Sequence, residues 1–484
     1  MSCLADTPKW VADAVVYQIF PDRFRQSGRA AAQSGLVMRP WGADPMEQGF
    51  QGGDLYGVID GLDHLEEMGI NCLYLNPIFC SAANHRYHTY DYLNVDPLLG
   101  GNDALAALIE AVHGRGMRLL LDGVFNHCGR GFWAFHHLLE NGETSPYRDW
   151  FDVQQWPLHP YPQADQRCGY SCWWNDPALP KFNHANPGVQ DYLLKVGLHW
   201  LEQGIDGWRL DVPDEVPAAF WQDFRRMVKA VNDEAWIVGE IWGDARPWLD
   251  GDQFDGVMNY RLGWSSLCWL AGNQLHRSYR NPFYPLDPLE TPEMVAVWET
   301  TAAWYRPEVN CSQLNLLDSH DVPRALHTLR GDLDALKLAL CLLFMHPGAP
   351  CLYYGTEVAM QGGVEPGCRE AFPWLVSWPA DLRGLIRRLV NVRRNHASIR
   401  QGRLRWESIA EDGLHGVASL RGGTPLGHQG VLNVWVNRSR ESWLPLSGDF
   451  ASPELLIGSL EIPGRGLAPQ SAVLISLGEG GARP

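Results

Sequence analysis

The sequence predicts an α/β fold: a (β/α)8 TIM barrel with a subdomain inserted after its third strand and a C-terminal antiparallel β-sandwich domain. Short β-branched or aromatic runs alternate with amphipathic helical stretches as far as about residue 395, as a repeated strand and helix unit requires. A segment without helical periodicity interrupts this alternation. Short alternating segments then follow towards the C-terminus, which is typical of an antiparallel β-domain.

Eight runs have the length and composition of buried strands: 14–20, 72–76, 118–122, 207–210, 236–239, 256–258, 314–317 and 350–354. Helical patterns between these runs include 104–112, 189–203, 218–231 and 333–343. Eight such units suggest a closed barrel, which needs about 250 residues when it has no insertions. We therefore assign residues 1–127 and 189–395 to the barrel.

Residues 128–188 are rich in Pro, Gly, Trp and Tyr and have no long helical period, which predicts a small subdomain over the mouth of the barrel. From residue 400 to residue 484 the segments become short and alternating, for example 416–420, 431–436 and 472–477. This pattern predicts the C-terminal β-domain. Residues 28–35 are predicted to form a loop.

Composition narrows the class of protein. The 484-residue chain has a net charge of -17 and no run of Lys or Arg, which argues against a nucleic-acid partner and favours a neutral ligand. No stretch approaches the roughly 20 apolar residues of a membrane span, and the N-terminus has no signal-peptide pattern. The 11 cysteines are scattered, which is typical of reduced thiols. We therefore expect a cytoplasmic protein.

Three carboxylates, those of Asp211, Glu240 and Asp321, each come at the end of a short apolar run. Such a run reads as a buried strand that delivers a polar group to the rim of a parallel sheet, where α/β enzymes carry their chemistry. Glycoside hydrolysis needs one carboxylate that attacks the sugar and a second that protonates the departing oxygen. The pattern therefore favours a glycosidase.

The tryptophan content is unusual. Many of the 22 Trp residues, such as Trp156, Trp173, Trp174 and Trp242, lie in polar or Pro-rich surroundings rather than in periodic core patterns. Aromatic rings in a cleft would suit the faces of sugars, and the alternative is that most of these residues pack in the core.

Four segments resemble the signature regions of the α-amylase superfamily, glycoside hydrolase family 13. They are 122–127 (Asp-Gly-Val-Phe-Asn-His), 207–211 (Gly-Trp-Arg-Leu-Asp), 238–240 (Val-Gly-Glu) and 319–321 (Ser-His-Asp). Two more, 179–183 (Leu-Pro-Lys-Phe-Asn) and 251–260, are similar to the neopullulanase, cyclomaltodextrinase and maltogenic amylase branch. The resemblance covers most of residues 10–395.

The resemblance implies that Asp211 is the nucleophile, Glu240 the general acid/base and Asp321 the third carboxylate, which stabilises the distorted sugar. Arg209 precedes Asp211 by two residues on a strand, so both side chains point to the same face, and we expect the guanidinium to keep Asp211 ionised. Glu240 must keep its proton until the leaving oxygen accepts it. We therefore expect the two pKa values to be driven apart.

The resemblance also assigns substrate contacts. Asp122 is similar to the residue that braces the arginine, and Tyr87 to the ring that stacks on the glucose at the cleavage point. His127 and His320 are similar to residues that hydrogen-bond to hydroxyls of that glucose.

Two further positions have alternatives. Arg369 either reaches the far hydroxyls of the sugar or forms a surface ion pair. Glu215 matches a position that lines the acceptor side in this branch.

Two departures from the branch bear on specificity. His88 stands where much of the branch has an Asp after the stacking Tyr, as in short, debranching-type members, and this weakens an exo-glucosidase interpretation. The N-terminal β-sandwich usual in the branch has no counterpart before residues 8–11, so we expect a more open cleft and a monomer, or a dimer that does not exchange that domain.

Metal evidence is thin in the sequence. Asn126 matches a residue that binds Ca²⁺ in many amylases, but such a site needs six or more oxygens. Cys168 and Cys172 lack the second pair that a zinc site requires, which favours ordinary thiols. We expect that no cofactor is required, with Ca²⁺ left open.

These features together predict a retaining hydrolase that cuts α-1,6 and α-1,4 bonds of branched dextrins, malto-oligosaccharides, pullulan or cyclodextrins. The alternatives are an α-glucan transglycosylase, a maltodextrin α-glucosidase and, from a different class, a non-catalytic carbohydrate-binding or partner protein.

Overall fold

The computed structural model describes residues 7–30, 36–283, 285–419, 432–446, 451–461 and 466–476. The outer ends of three predicted C-terminal strands, at residues 420, 431 and 477, lie outside these ranges, as does most of the predicted loop 28–35. No helix within the described ranges has both the length and the apolar character needed to cross a bilayer.

Eight parallel strands close into a barrel, as predicted. In chain order these are β1 (Val16–Ile19), β2 (Cys72–Leu75), β5 (Arg118–Gly123), β6 (Gly207–Leu210), β7 (Trp236–Gly239), β8 (Gly256–Asn259), β9 (Leu314–Leu316) and β10 (Ala349–Tyr353), while β3 (Phe79–Ser81) and β4 (Thr89–Val95) form a separate hairpin. The order around the barrel is β1, β10, β9, β8, β7, β6, β5 and β2. Every barrel strand lies within two residues of its predicted bounds.

Helices cover the outside of the barrel. The α-helices are Pro21–Phe24, Leu55–Asp60, Leu62–Met68, Gly101–His113, Trp133–Asn141, Pro187–Glu202, Ala218–Val231, Tyr260–Ala271, Thr291–Trp304, Pro307–Asn310, Ala325–Thr328, Leu333–Met345, Ala380–Asn395 and Ala397–Gln401. Short 3-10 helices are Lys9–Asp13, Pro97–Leu99, Gly142–Thr144, Arg148–Trp150, Trp173–Asn175, Pro213–Glu215, Arg246–Trp248, Gly272–Gln274 and Thr356–Val358. The four predicted helical patterns all fall on helices of this set.

The core explains why these segments fold as they do. All four residues of β1, β2, β6 and β7 are buried, because the helices cover one face of each strand and the barrel interior covers the other. The helix Ala218–Val231 turns Phe220, Trp221, Phe224 and Val228 inward, an apolar stripe at helical spacing. Apolar runs in the strands are thus a consequence of burial on both faces.

Residues after β5 form an aromatic-rich layer over the strand ends. The helix Trp133–Asn141 begins this layer, and backbone bridges join His127 to Lys181, Phe151 to Phe182 and Cys172 to Pro180. These bridges tie the returning segment to the end of β5, which places residues 172–181 beside the mouth of the barrel.

The C-terminal strands form a five-stranded antiparallel sheet, which confirms the predicted β-domain. Its members are β11 (Arg403–Ala410), β12 (Gly413–Ser419), β13 (Leu432–Asn437), β14 (Ala451–Ile457) and β17 (Ser471–Ser476), in the order β11, β12, β13, β17, β14. A ribbon of β15 (Leu460–Glu461) and β16 (Gly466–Leu467) supplies a second layer. A small core that includes Trp435, Leu467 and Val473 lies between the layers.

Gly207, at the start of β6, offers a test of the barrel packing. A Cβ here would lie 2.2 Å from the backbone oxygen of Trp236 and 2.8 Å from a methyl of Leu120. We expect Gly207→Ala to cost about 1–3 kcal/mol, because neither the adjacent strand nor the packed leucine can give way. The melting temperature measures this loss.

Gly384→Ala is the matched control. Gly384 lies in the helix Ala380–Asn395, and the nearest atom to its added Cβ would be 4.0 Å away. There Ala is expected to stabilise the protein by up to about 1 kcal/mol, because Gly is the poorer helix former. A Gly207→Ala protein that melts as high as the parent would contradict the packing described above.

Candidate active site

Four carboxylates gather at the carboxyl ends of four barrel strands, three of which are adjacent. Asp122 lies in β5, Asp211 directly follows β6, Glu240 directly follows β7, and Asp321 lies beyond the end of β9. Because parallel strands end on the same rim, side chains far apart in sequence meet there. Asp211 and Glu240 are only 5% and 6% exposed, so both carboxyls lie in a pocket with little water.

Arg209 is the hub of this cluster. Its Nη1 donates to Oδ1 of Asp122 at 2.8 Å and to Oδ1 of Asp211 at 2.9 Å. Its Nη2 lies 2.9 Å from Oε2 of Glu240 and 4.0 Å from Oδ2 of Asp321. The Nη2 contact with Glu240 is ionic rather than a hydrogen bond, because the N–H does not point at the oxygen. One fully buried guanidinium therefore fixes the positions of the two carboxyls proposed for catalysis.

The pKa of Asp211 departs from the sequence-based expectation. Burial raises it well above its ordinary value, and the nearby carboxylates Glu240, Asp122 and Asp321 raise it further, while Arg209 lowers it. Arg209 therefore favours the ionised form of Asp211, as its position two residues earlier suggested, but burial opposes it more strongly. Burial and Glu240 likewise raise the pKa of Asp321. For both carboxyls burial is the largest influence on the pKa, and the neighbouring arginines oppose it.

Glu240 is oriented by two donors. The backbone N–H of Val212 donates to Oε2 at 3.2 Å, and Nε1 of Trp242 donates to Oε1 at 3.1 Å. Val212 has φ of 43°, a left-handed conformation that is rare for a β-branched residue. Trp242 stacks on Tyr260 with ring centroids 4.0 Å apart. The carboxyl group is thus held by a strained turn and a packed indole.

Tyr87 and His320 lie together beside Asp122 and within reach of the other carboxylates. Their rings are stacked, with an interplanar angle of 7°, and the Tyr87 hydroxyl lies 2.5 Å from Nε2 of His320 and donates to Asp122 at 2.9 Å. Gln18 donates to Nδ1 of His320 at 2.9 Å, which leaves the ring proton on Nε2. Burial lowers the pKa of His320 well below its ordinary value, so the imidazole is neutral.

His127 lies at the edge of the insertion, fully buried, and its Nε2 has no hydrogen-bond partner within the described ranges. Burial lowers its pKa to about 3, so this ring is neutral as well. A buried, unpaired imidazole nitrogen is costly unless a ligand completes it. His88 is half-buried nearby, edge-on to His85 with centroids 4.7 Å apart, and burial also lowers its pKa.

The two remaining predicted residues are Glu215 and Arg369. Glu215 pairs with Lys181 at 2.7 Å, which links the turn after β6 to the insertion. Arg369 is 4% exposed, and its Nη2 forms an ion pair with Oε1 of the partly exposed Glu365 at 2.8 Å. Its Nε donates to the backbone oxygen of His320 at 2.9 Å, and its Nη2 donates to Oδ1 of Asp321 at 3.3 Å. In this arrangement Arg369 positions the third carboxylate.

Several site residues were not predicted from the sequence. Gln18 lies one residue before the end of β1 and donates to His320, Tyr74 donates to Asp122 at 2.8 Å, and Asn76 donates to the Tyr87 hydroxyl at 3.1 Å. Each lies within one residue of the end of a barrel strand, close to the signal that marked Asp211 and Glu240. A search for polar residues near the end of every predicted strand would therefore have found them.

The calcium alternative rests on Asn126. Its Oδ1 is buried and has no hydrogen-bond partner among the described residues. Those residues contain no group of three or more His, Cys, Asp or Glu side chains that could hold a metal ion. One amide oxygen does not fit an ion that takes about six to eight oxygen ligands. Cys168 and Cys172 are free thiols with their Sγ atoms 3.9 Å apart.

Comparisons with known proteins agree with this geometry. The model of the alpha-amylase catalytic domain matches residues 18–371. A cyclomaltodextrinase from a Bacillus species is 41% identical over 86% of this chain and 71% of the relative. Neopullulanase 2 from Thermoactinomyces vulgaris is 40% identical over 84% of this chain and 67% of the relative.

A solved structure extends the likeness over nearly the whole chain. The debranching enzyme from Nostoc punctiforme superposes with a TM-score of 0.87 at 38% identity, covering 98% of this chain and 100% of that one. Its match includes the C-terminal sheet that the family model leaves out. The chain therefore belongs to the α-amylase family and is a glycoside hydrolase.

Proposed function

We propose that this protein is a retaining α-glucan hydrolase that cleaves α-1,6 and α-1,4 glucosidic bonds of branched dextrins, malto-oligosaccharides, pullulan or cyclodextrins. The observation that carries the proposal is the contact of one guanidinium, Arg209, with both Asp211 and Glu240. A carboxylate pair held by neighbouring nitrogens of one side chain suits the separation of about 5 to 5.5 Å that retention needs.

In the first step Asp211 attacks the anomeric carbon while Glu240 gives its proton to the departing glycosidic oxygen. The bond from that carbon to the leaving oxygen breaks as the bond to Asp211 forms, which leaves a covalent glycosyl-enzyme. In the second step Glu240, now a base, takes a proton from water, and the hydroxide displaces Asp211. The low exposure of both carboxyls favours these transfers, because few waters compete for their charges.

The surrounding residues position the sugar. Tyr87 presents a ring for stacking beside Asp122, while the neutral imidazoles of His127 and His320 can exchange hydrogen bonds with hydroxyls without adding charge. Asp321, held by Arg369, stabilises positive charge that develops on the ring. The cleft thus offers hydrogen bonds and an aromatic face to a neutral substrate.

His88 bears on the linkage. An imidazole replaces a carboxylate that would bind the outer hydroxyls of the glucose, and it is only half-buried, so the far end of the site is less closed. This supports branched and internal substrates and disfavours the maltodextrin α-glucosidase alternative. The similarity to a protein described as a debranching enzyme supports the same choice.

The transglycosylase alternative uses the same residues, because sugar hydroxyls compete with water for the glycosyl-enzyme. The product profile at high sugar concentration separates the two. A purely binding protein is disfavoured by the presence of all three carboxylates. We also propose a cytoplasmic location, because the cysteines of the described residues are all free thiols.

The test is digestion of pullulan and of a branched dextrin followed by NMR, with Glu240→Gln as the control. We expect early loss of α-1,6 signals together with release of the α-anomer, as double displacement requires. Loss of α-1,4 signals alone would assign the protein to the cyclomaltodextrinase or maltogenic type. Release of the β-anomer first would refute retention, and no loss in either enzyme would refute hydrolysis.

A further inference from the structure

Trp174 is unusual because its large apolar ring is exposed to solvent and its backbone has an unfavourable conformation. Its side chain is 81% exposed, and its φ is 50°, in the left-handed region. Asn175 follows with φ of 57°. A bulky residue in this conformation is an outlier, and such strain persists only where the surrounding structure enforces it. Exposed single hydrophobic residues are common, but strained ones are not.

The ring of Trp174 continues a stack that begins in the active site. It lies against Trp173 with centroids 4.9 Å apart at 13°, and Trp173 lies against His127 with centroids 5.2 Å apart at 12°. His127 is the buried imidazole whose Nε2 has no hydrogen-bond partner in the described structure, and Nε1 of Trp173 is buried and unpaired in the same way. Three parallel rings therefore run from the cleavage point outward, with unpaired polar atoms on the inner two.

Backbone hydrogen bonds fix the loop that carries this stack. The N–H of Trp173 donates to the oxygen of Leu179 at 3.0 Å, and the N–H of Asp176 donates back to the oxygen of Trp173 at 2.9 Å. The bridge between Cys172 and Pro180 closes the base of the loop. Trp174 is thus held in place before any ligand arrives, so a ligand that stacks on it pays little entropy to order the ring.

We propose that Trp174 is the stacking platform of an outer sugar subsite, which binds a glucosyl unit beyond the one held by His127 and so favours long or branched α-glucans over short ones. Glucosyl units present apolar C–H faces that pack on indole rings, and their hydroxyls can complete the unpaired nitrogens of the inner rings. This inference rests on the proposed function for its substrate class.

The variants Trp174→Gly and Trp174→Phe separate a binding role from a structural one. Glycine accepts a positive φ without strain, so Trp174→Gly should melt at the same temperature as the parent or higher. The same variant should lose about tenfold in kcat/KM on maltoheptaose while its kcat/KM on maltotriose changes less than about twofold. The loss should fall in KM rather than in kcat, and Trp174→Phe should recover most of it.

Trp443→Ala is the matched control, because Trp443 is 40% exposed and lies in the C-terminal domain. This variant should leave kcat/KM unchanged on both substrates. A Trp174→Gly protein that loses activity equally on both substrates, or on neither, overturns the proposal. So does a fall in its melting temperature that accounts for the loss.

Binding of maltoheptaose to the Glu240→Gln protein, measured by titration calorimetry, distinguishes the two hypotheses. If maltoheptaose binds to the Glu240→Gln protein, and adding Trp174→Gly weakens that binding about tenfold, the stacking role of Trp174 is supported. This result supports it even if the parent protein does not hydrolyse maltoheptaose. Equal binding with and without the indole overturns the platform and leaves the proposed reaction untouched.

Discussion

Asp211→Asn is expected to lower kcat on malto-oligosaccharides by about 10⁴-fold or more, because an amide cannot form the covalent glycosyl-enzyme. The substitution keeps the shape of the side chain and leaves Arg209 in contact with Asp122 and Glu240. The protein should therefore fold and bind substrate normally. A loss of this size in kcat with little change in substrate affinity identifies a group that acts in the reaction itself.

Glu240→Gln gives a contrasting pattern that fixes the second role. Its loss should be large on natural glucans, about 10²- to 10⁴-fold, because the leaving oxygen receives no proton. On a glucosyl fluoride or a nitrophenyl glycoside, whose leaving groups depart without a proton, the first step should recover. Hydrolysis of the intermediate stays slow in this variant, so an initial burst of leaving group should precede slow turnover.

Stopped-flow kinetics with the activated substrate compare the two variants. The burst should appear for Glu240→Gln and be absent for Asp211→Asn. If Asp211→Asn shows the burst, or if both variants lose the same factor on both substrates, the roles given to these residues are wrong. Gln222→Ala, at an exposed hydrogen bond to Asp252 away from the cluster, should leave the rates unchanged.

Sequence patterns predicted the positions of these carboxyls better than they predicted their pKa values. An apolar run that ends in an acid is a local pattern, and it located Asp211 and Glu240 because strand burial and rim placement follow from the same residues. The pKa of Asp211 depends instead on groups from three other strand ends, which sequence spacing does not bring together. Arg209 and the three carboxylates were all identified from the sequence, but the extent of burial, which outweighs the effect of the arginine on the pKa of Asp211, was not.

The hairpin of β3 and β4 is a second feature that local sequence patterns did not predict. β3 has only three residues, and the seven residues of β4 mix buried and exposed side chains, so neither strand has the apolar run that marked the barrel. Yet the loop between them carries Tyr87 and His88 into the site. The motif around Tyr87 suggested its role by resemblance, whereas its position depends on a pairing with β-bulges that no local pattern specifies.

Arg209→Met is expected to destabilise the protein strongly, by about 3–5 kcal/mol at neutral pH, because it leaves buried carboxylates without their counter-ion. Asp122 is 1% exposed, and the guanidinium is the charged partner that lowers its pKa against the effect of burial. Without it, the pKa values of Asp122 and Asp211 should rise further in the folded state. The folded protein then binds more protons than the unfolded chain.

The sign of the pH dependence follows from that difference. A carboxyl whose folded pKa lies above its unfolded value loses stability as the pH rises from the unfolded value through the folded one. The melting temperature of Arg209→Met should therefore fall, relative to the parent, between acidic and mildly alkaline pH. The acid limb of its residual kcat/KM should also move to higher pH, since Asp211 must be ionised to attack.

The double variant Arg209→Met/Asp122→Asn tests the cause. Removing the charge of Asp122 leaves one fewer buried carboxylate to neutralise, while the amide keeps the hydrogen bonds from Tyr74 and Tyr87. It should melt higher than Arg209→Met, with a flatter dependence on pH, although Asp122→Asn alone is expected to destabilise the parent. If the losses of stability in the two single variants simply add in the double variant, Arg209 stabilises the barrel by packing. In that case the four carboxyls do not depend on its charge.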